Sequence, residues 1–240
     1  MSIIQVLKNF IKKESTGRPL KYKIEEKLET IVFVLKSGIS WKELNELNKL
    51  YDESSYRKYF YQLVKSEIIK KIFESLKPTN PSKINFIDSS QIRNKHGEKS
   101  SIGFCPQDMK HKGNKVSLVI NNIGKPIGCE IGRGSDHDLK LLDATINNLN
   151  IKILVGDKSY TSKKKRDELK KNGIKLLYPV KRNIKELRTK EERKLLKRRH
   201  LVENSFANLK KFKRLGYRYE RKLEYFKGFV LLGLITMMIR

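Results

Sequence analysis

Two short apolar runs, each leading into an aspartate, constrain this chain more than any other feature. Ile84-Asn85-Phe86-Ile87 leads into Asp88, and Ile151-Lys152-Ile153-Leu154-Val155-Gly156 leads into Asp157. Runs of this length, rich in β-branched and aromatic residues, read as strands. A third acid, Glu203, lies in a basic helical stretch, Arg198-Arg199-His200-Leu201-Val202-Glu203. Two acids at strand ends and one on a later helix can meet at one edge of a sheet. Oxygen ligands so gathered hold hard divalent cations, and a pair of ions activates a nucleophile and steadies the leaving oxygen at a phosphate. Taken singly, each acid has a plainer reading. Asp157 could cap the helix after Tyr160, and Glu203 could be one more solvated carboxylate on a charged helix.

The periodicity changes once along the chain. Ile24, Leu28, Ile31, Val32 and Leu35 follow a helical repeat that Gly38 stops. Ser40-Trp41-Lys42-Glu43 is a capping box opening a second helix to about Leu50. Asp52 or Ser54 then caps a third, in which Tyr56, Tyr59, Phe60 and Leu63 alternate with Arg57, Lys58 and Lys65. Three short helices with a basic, aromatic last member suit a helix-turn-helix DNA reader, with Arg57 and Lys58 as candidate contacts. A plain three-helix bundle has the same spacing. Lys77-Pro78-Thr79-Asn80-Pro81-Ser82 breaks the pattern and is the expected boundary between a helical domain, 1–80, and a second domain, 81–240.

Beyond that break, Lys83–Asp88, Lys115–Asn121 and Pro126–Gly132 read as strands, the last two joined by a turn at 122–125. A helix capped by Asp136 or Asp138 carries Leu139, Leu142, Ile146 and Leu149 on one face. Strand Ile151–Val155, helix Lys163–Lys171, a stop at Gly173 and strand Ile174–Val180 follow, and then basic helices. The expected class is therefore α/β: a ribonuclease H-like domain with a mixed sheet flanked by helices, preceded by a small all-α, helix-turn-helix-like domain.

Charge narrows the partners. The 240 residues carry 54 Lys and Arg against 26 Asp and Glu, a formal net of +28. Such an excess is the footprint of a nucleic-acid binder, because every neutralised phosphate releases a counterion. Between Leu195 and Lys222 the cations interleave with Phe206, Phe212, Tyr217 and Tyr219. There the basic residues could track phosphates while the aromatics stack on bases, or the aromatics could be core. Cys105 and Cys129 form no zinc-binding spacing and read as thiols of a reducing compartment. Met1–Phe10 lacks the apolar core of a signal peptide, and the longest apolar stretch, Gly228–Ile239, is too short to span a bilayer. It reads as a buried C-terminal helix of an intracellular, DNA-associated protein without a membrane partner.

Specific residues carry a family resemblance. Asp88-Ser89-Ser90, Gly156-Asp157-Lys158-Ser159-Tyr160 and Arg199-His200-Leu201-Val202-Glu203 resemble the three signature blocks of insertion-sequence DDE transposases, and of the insertion-sequence five group in particular. That group places its last acid in Tyr-x2-Arg-x3-Glu-x6-Lys. Arg199, Glu203 and Lys210 match it, and Leu196 stands at the tyrosine position. Asn122-Ile123-Gly124-Lys125-Pro126, Gly134-Ser135-Asp136-His137-Asp138, Ser37–Leu44 and Ser55–Lys58 also look like family segments. Arg199, Glu203, Phe206 and Lys210 fall on one helical face, so a carboxylate there could ligate metal while cations grip the phosphate beside it.

The resemblance implies a transposase that binds terminal inverted repeats, cleaves at the element's ends and joins them to target DNA. Asp88, Asp157 and Glu203 would be both catalytic residues and ligands of two Mg2+ or Mn2+ ions, with Arg199 and Lys210 on the DNA. His200 and His137 are candidates for support behind the ligands; for His137 a helix-cap role is the leading alternative. The expected partners are double-stranded DNA and a second copy, as a homodimer or larger synaptic assembly. The rivals are a ribonuclease H-like nuclease without strand transfer, a non-catalytic DNA-binding protein derived from a transposase, and an RNA-binding protein.

Overall fold

The computed structural model describes residues 2–11, 23–47, 52–78, 82–105, 108–179 and 188–239. The Pro/Asn break at 79–81, the end of the second expected helix at 48–50 and the end of the last expected strand at Val180 lie outside them. Two compact units emerge: Met1–Lys77 with Asn94–Glu98 and Leu209–Arg240, and Pro78–Arg93 with Lys99–Asn208.

The first unit opens with five helices: α1 (Ile3–Phe10), α2 (Ile24–Ser37), α3 (Leu44–Leu47), α4 (Glu53–Lys65) and α5 (Ile68–Ser75). Gly38 ends α2 in a left-handed conformation, φ 74°, where a side chain would be strained. The Ser40 capping box forms, with Ser40 N–H donating to Glu43 at 2.8 Å and Glu43 N–H to Ser40 Oγ at 3.2 Å. The helix it opens, α3, is only a single turn. Asp52 caps α4 by accepting from Ser54 N–H at 3.1 Å. Tyr56, Phe60 and Leu63 are buried on α4.

The second unit is built on a sheet. Its strands are β1 (Ile84–Asn94), β2 (Gly103–Cys105), β3 (Asp108–Asn121), β4 (Pro126–Arg133), β5 (Ile153–Val155) and β6 (Lys175–Leu177). β3 is antiparallel to β1 on one side, and to β2 and β4 on the other. β5 is parallel to β1 and β6 is parallel to β5, so the order β3-β1-β5-β6 mixes both senses. Helices α6 (Asp138–Ile146) and α7 (Lys163–Lys171) supply one flank. The core there joins Ile87, Val119 and Leu154 of the sheet to Leu142 of α6 and Leu169 of α7. Two further helices follow, α8 (Lys190–Lys197) and α9 (His200–Lys210), of which α9 lies in this unit as far as Asn208.

The chain ends in α10 (Leu223–Met238), buried along nearly its whole length. A helix apolar all round has no face for water, and α10 finds its cover among α2, α4 and α5 in the first unit. Gly228 permits this approach: a Cβ there would come within 2.5 Å of Val64. No helix among the described residues is long and apolar enough to cross a membrane.

Candidate active site

The register of two parallel strands brings the first two acids together. Phe86 of β1 pairs with Val155 of β5. Asp88 lies two residues further along β1, and Asp157 lies two residues past the end of β5. Alternation along β1 sends Phe86 and Asp88 to one face and Ile87 and Ser89 to the other. Ile87 joins the core under α6 and α7. On the opposite face the Arg198 guanidinium stands over the Phe86 ring, 5.8 Å from its centroid.

Helix α9 delivers the third acid on that same face. Two bonds to the β3–β4 turn hold it: Arg198 donates to the Asn122 carbonyl at 2.7 Å, and the Ser205 hydroxyl lies 3.2 Å from the Gly124 carbonyl. Val202, Ser205 and Phe206 are buried, whereas Glu203 is exposed. Arg199 reaches both sheet and helix, 3.9 Å from Asp88 and 3.5 Å from Glu203. Its Nε is buried without a hydrogen-bond partner.

The electrostatics register the convergence. Burial is the largest influence on Asp88 and pushes its carboxyl up to about 6, against the pull of the Ser89 N–H. The negative charges of Asp157 and Glu203 push the same way, and Arg199 opposes them. Asp157 accepts from Ser159 N–H at 2.8 Å and also from the Ser159 hydroxyl. It thereby caps the 3-10 turn Lys158–Tyr160, while α7 is capped by Ser162.

A hard divalent cation suits this donor set. All three side chains offer carboxylate oxygens, and a cation would relieve the repulsion that raises Asp88. Among the described residues, however, no three His, Cys, Asp or Glu side chains stand close enough together to enclose an ion. Glu203 is on an exposed helix position, and Arg199 approaches both it and Asp88. The fit is therefore one of donor chemistry and placement.

Other expected site residues fall elsewhere. Lys210 is the last residue of α9, and partial burial lowers its ammonium pKa. Arg57 on α4 lies 3.7 Å from Glu53, and Lys58 is exposed beside it. His200 places Nδ1 3.0 Å from the Lys197 carbonyl. The helix α6 is capped by His137, whose Nδ1 accepts from Leu139 N–H at 3.3 Å, rather than by Asp136 or Asp138. Asp138 instead meets Lys115 Nζ at 2.8 Å and the Ser89 hydroxyl at 2.5 Å. Burial alone would raise its carboxyl, but hydrogen bonds from Lys115, Ser159 and Ser89 hold it below the usual range.

The cation–aromatic interleaving after Leu195 is in part structural. Phe206 and Phe212 are buried, as are Arg214 and Arg218. Arg214 pairs with Glu220 at 2.8 Å and donates to the Ile39 carbonyl, and Arg218 donates to the carbonyls of Glu220 and Arg221. These two guanidiniums are committed to their own fold, not to phosphates.

The family model of the transposase DDE domain matches residues 78–222, well over half of the chain. The chain belongs to the transposase DDE-domain family. In three dimensions this DDE-domain chain resembles piggyBac transposase in a synaptic complex with hairpin DNA, with a TM-score of 0.50 at 10% identity, over 98% of this chain and 69% of that one. That likeness concerns the fold alone. A Mos1 strand transfer complex is a more distant neighbour, with a TM-score of 0.29 at 13% identity over 88% of this chain and 83% of that one. No curated protein matches the sequence. Lys115 and Arg198 are not marked out by the sequence. A strand lysine and one arginine among many carry no signal until burial and partners are known.

Proposed function

We propose that this transposase acts on the ends of a mobile DNA element, cutting them and joining them to target DNA, with Asp88, Asp157 and Glu203 as its catalytic residues. The reading is supported by the DDE-domain match over residues 78–222 and by Arg199, which lies 3.9 Å from Asp88 and 3.5 Å from Glu203 and so brackets the two acids. The three carboxylates would hold two divalent ions, Mg2+ or Mn2+, which supply Lewis acidity at the scissile phosphate and a nucleophile at neutral pH.

The chain's own groups position the DNA. Arg199 makes only long contacts to Asp88 and Glu203, both through its terminal Nη2. Its fork therefore keeps donors for a phosphate oxygen next to the acids. Lys210, seven residues on along α9, would follow the backbone. Arg57 and Lys58 would contact the inverted repeats from the N-terminal helices, 1–80, while 81–240 form the catalytic part. The Arg199-x3-Glu203-x6-Lys210 spacing supports a place in the insertion-sequence five group. Holding two element ends at once calls for a homodimer or larger assembly.

The test uses the full chain, a duplex bearing the element's terminal repeat, Mg2+ and a target plasmid. Strand nicking at the repeat boundary followed by joined product supports the reading. Asp157→Asn should abolish both and leave DNA binding at low salt intact; cleavage surviving that change would refute the assignment. Cleavage without joined product would make the chain a nuclease, and binding without either would make it a DNA-binding protein only.

A further inference from the structure

Asp138 lies at the start of α6, and nothing in the three-acid reading uses it. Its side chain is 14% exposed, and that of its partner Lys115 on β3 is 10% exposed. The pair is linked to Asp88, which the sequence places at a strand end but which sits mid-strand in β1, and to Asp157 through two serines. Ser89 donates its backbone N–H to Asp88 at 2.8 Å and its hydroxyl to Asp138 at 2.5 Å. Ser159 donates its backbone N–H to Asp157 at 2.8 Å, and its hydroxyl lies between Asp157 and Asp138 with one proton for two acceptors. Each acid is thus held by the amide of a serine whose hydroxyl meets the same third carboxylate.

We propose that Asp138 is a positioning residue that sets the separation of the Asp88 and Asp157 carboxylates by tethering Ser89 and Ser159, with Lys115 as its fixed counter-charge. The inference rests on the metal-binding reading of those acids. Strand geometry explains why such a tether is needed. β5 ends at Val155, so Asp157 lies beyond the last ladder pair and the backbone alone does not fix it. Ser89 points to the α6 face of the sheet, opposite Asp88, and only a group on that flank can hold it. Asp138 is suited to the task because the first turn of a helix favours a negative charge. Lys115 balances that charge, so Asp138 accepts from the Ser89 hydroxyl and competes with Asp157 for that of Ser159 without adding an uncompensated anion beside Asp88. Partners that orient metal ligands typically affect metal affinity about 10–100-fold when removed.

The experiment measures Mn2+ binding to the full chain without DNA, by paramagnetic resonance of the free ion, for wild type, Asp138→Asn, Ser159→Ala and the double variant Lys115→Met/Asp138→Leu. Thermal unfolding and the Mg2+ concentration at half-maximal cleavage are recorded alongside. Weakening of Mn2+ binding by about 10-fold or more in Asp138→Asn and Ser159→Ala, with DNA binding in chelator unchanged, is the expected result. The double variant removes the buried charges together, so it keeps the test usable where Asp138→Asn alone unfolds. It should fold and still bind Mn2+ weakly. Wild-type affinity in folded Asp138 variants would overturn the inference and leave the three-acid reading standing. A wild-type chain that binds no Mn2+ would overturn both.

Discussion

Arg199 approaches Asp88 to 3.9 Å, within range of charge attraction but too far for a hydrogen bond. The turn before α9 therefore places a cation beside the most perturbed carboxylate without neutralising it through a tight pair. Asp88 stays high, at about 6, because burial and two neighbouring acids outweigh that attraction. The site holds an acid that is uncomfortable in its charged form, which is an arrangement suited to capturing a cation and costly in its absence.

Asp88→Asn should therefore stabilise the metal-free protein while abolishing cleavage. The folded carboxyl titrates at about 6 against a usual value of 3.8. Between those values the folded state binds more protons than the unfolded state, so stability falls as pH rises through that window. The loss is complete above pH 6 and absent below about pH 4. At pH 7.5 the substitution should gain on the order of 1–3 kcal/mol, read as a rise in Tm, and the gain should vanish near pH 4. Mg2+ should raise the Tm of wild type and not that of the variant. A Tm lowered at pH 7.5 would contradict the account.

Arg199→Gln tests the opposing influence. The guanidinium charge lowers the Asp88 pKa, so its removal should move the acid limb of the cleavage profile to higher pH. The measurement belongs at sub-saturating Mg2+, where proton and ion compete for one carboxylate. Arg199→Lys keeps the charge but loses the fork. It should retain the pH profile and lose rate. An unshifted limb in Arg199→Gln would remove Arg199 from the electrostatics of Asp88.

How far the sequence disclosed this arrangement depends on how local the signal was. Hydrophobic runs at Ile84–Ile87 and Ile151–Val155 identify two strands, and the acid after each becomes a neighbour once the strands are parallel. The all-apolar Gly228–Ile239 stretch likewise declares a buried helix. β1 continues through Asp88-Ser89-Ser90-Gln91-Ile92-Arg93-Asn94, a polar stretch without alternation. Pairing with β3, for example Gln91 with Lys115, makes it a strand. β2 is only three residues long, too short for alternation to show, and it too is a strand by its pairing with β3. Charge counting could not separate Arg214 and Arg218, which are buried, from cations free to meet DNA. That distinction depends on long-range partners such as the Ile39 carbonyl.

The buried pair of Arg214 and Glu220 gives a sharp contrast between structural and DNA-facing cations. The side chains are 5% and 3% exposed, and their contact is 2.8 Å. Glu220→Ala leaves a buried guanidinium uncompensated, which typically costs about 3–5 kcal/mol. The expected outcome is a large loss in Tm with an unchanged salt dependence of DNA binding at temperatures where the variant is folded. Lys58→Ala should do the reverse, leaving Tm within a degree or two and lowering the slope of log affinity against log salt by about 1. Equal slopes in Lys58→Ala and wild type would remove Lys58 from the phosphate contacts.

The seat of α9 offers a last test, because it separates the placing of Glu203 from its chemistry. Ser205 is buried, and its hydroxyl lies 3.2 Å from the Gly124 carbonyl and 3.0 Å from the Leu201 carbonyl. Arg198, seven residues earlier and just before α9, holds the same turn through the Asn122 carbonyl. Ser205→Ala removes one neutral hydrogen bond, worth about 0.5–1.5 kcal/mol, and should reduce activity modestly. Arg198→Met removes a charge-assisted bond, worth about 1.5–3 kcal/mol, and lifts the guanidinium from Phe86. It should depress cleavage several-fold while DNA binding in chelator stays as in wild type. Raised Mg2+ should recover part of the loss in both variants, since the ion itself helps draw Glu203 toward the aspartates. Glu203→Gln, which lacks the charge, should recover nothing. If Arg198→Met proved as inert to added Mg2+ as Glu203→Gln, Arg198 would have a direct part in the reaction and would not serve merely to seat the helix.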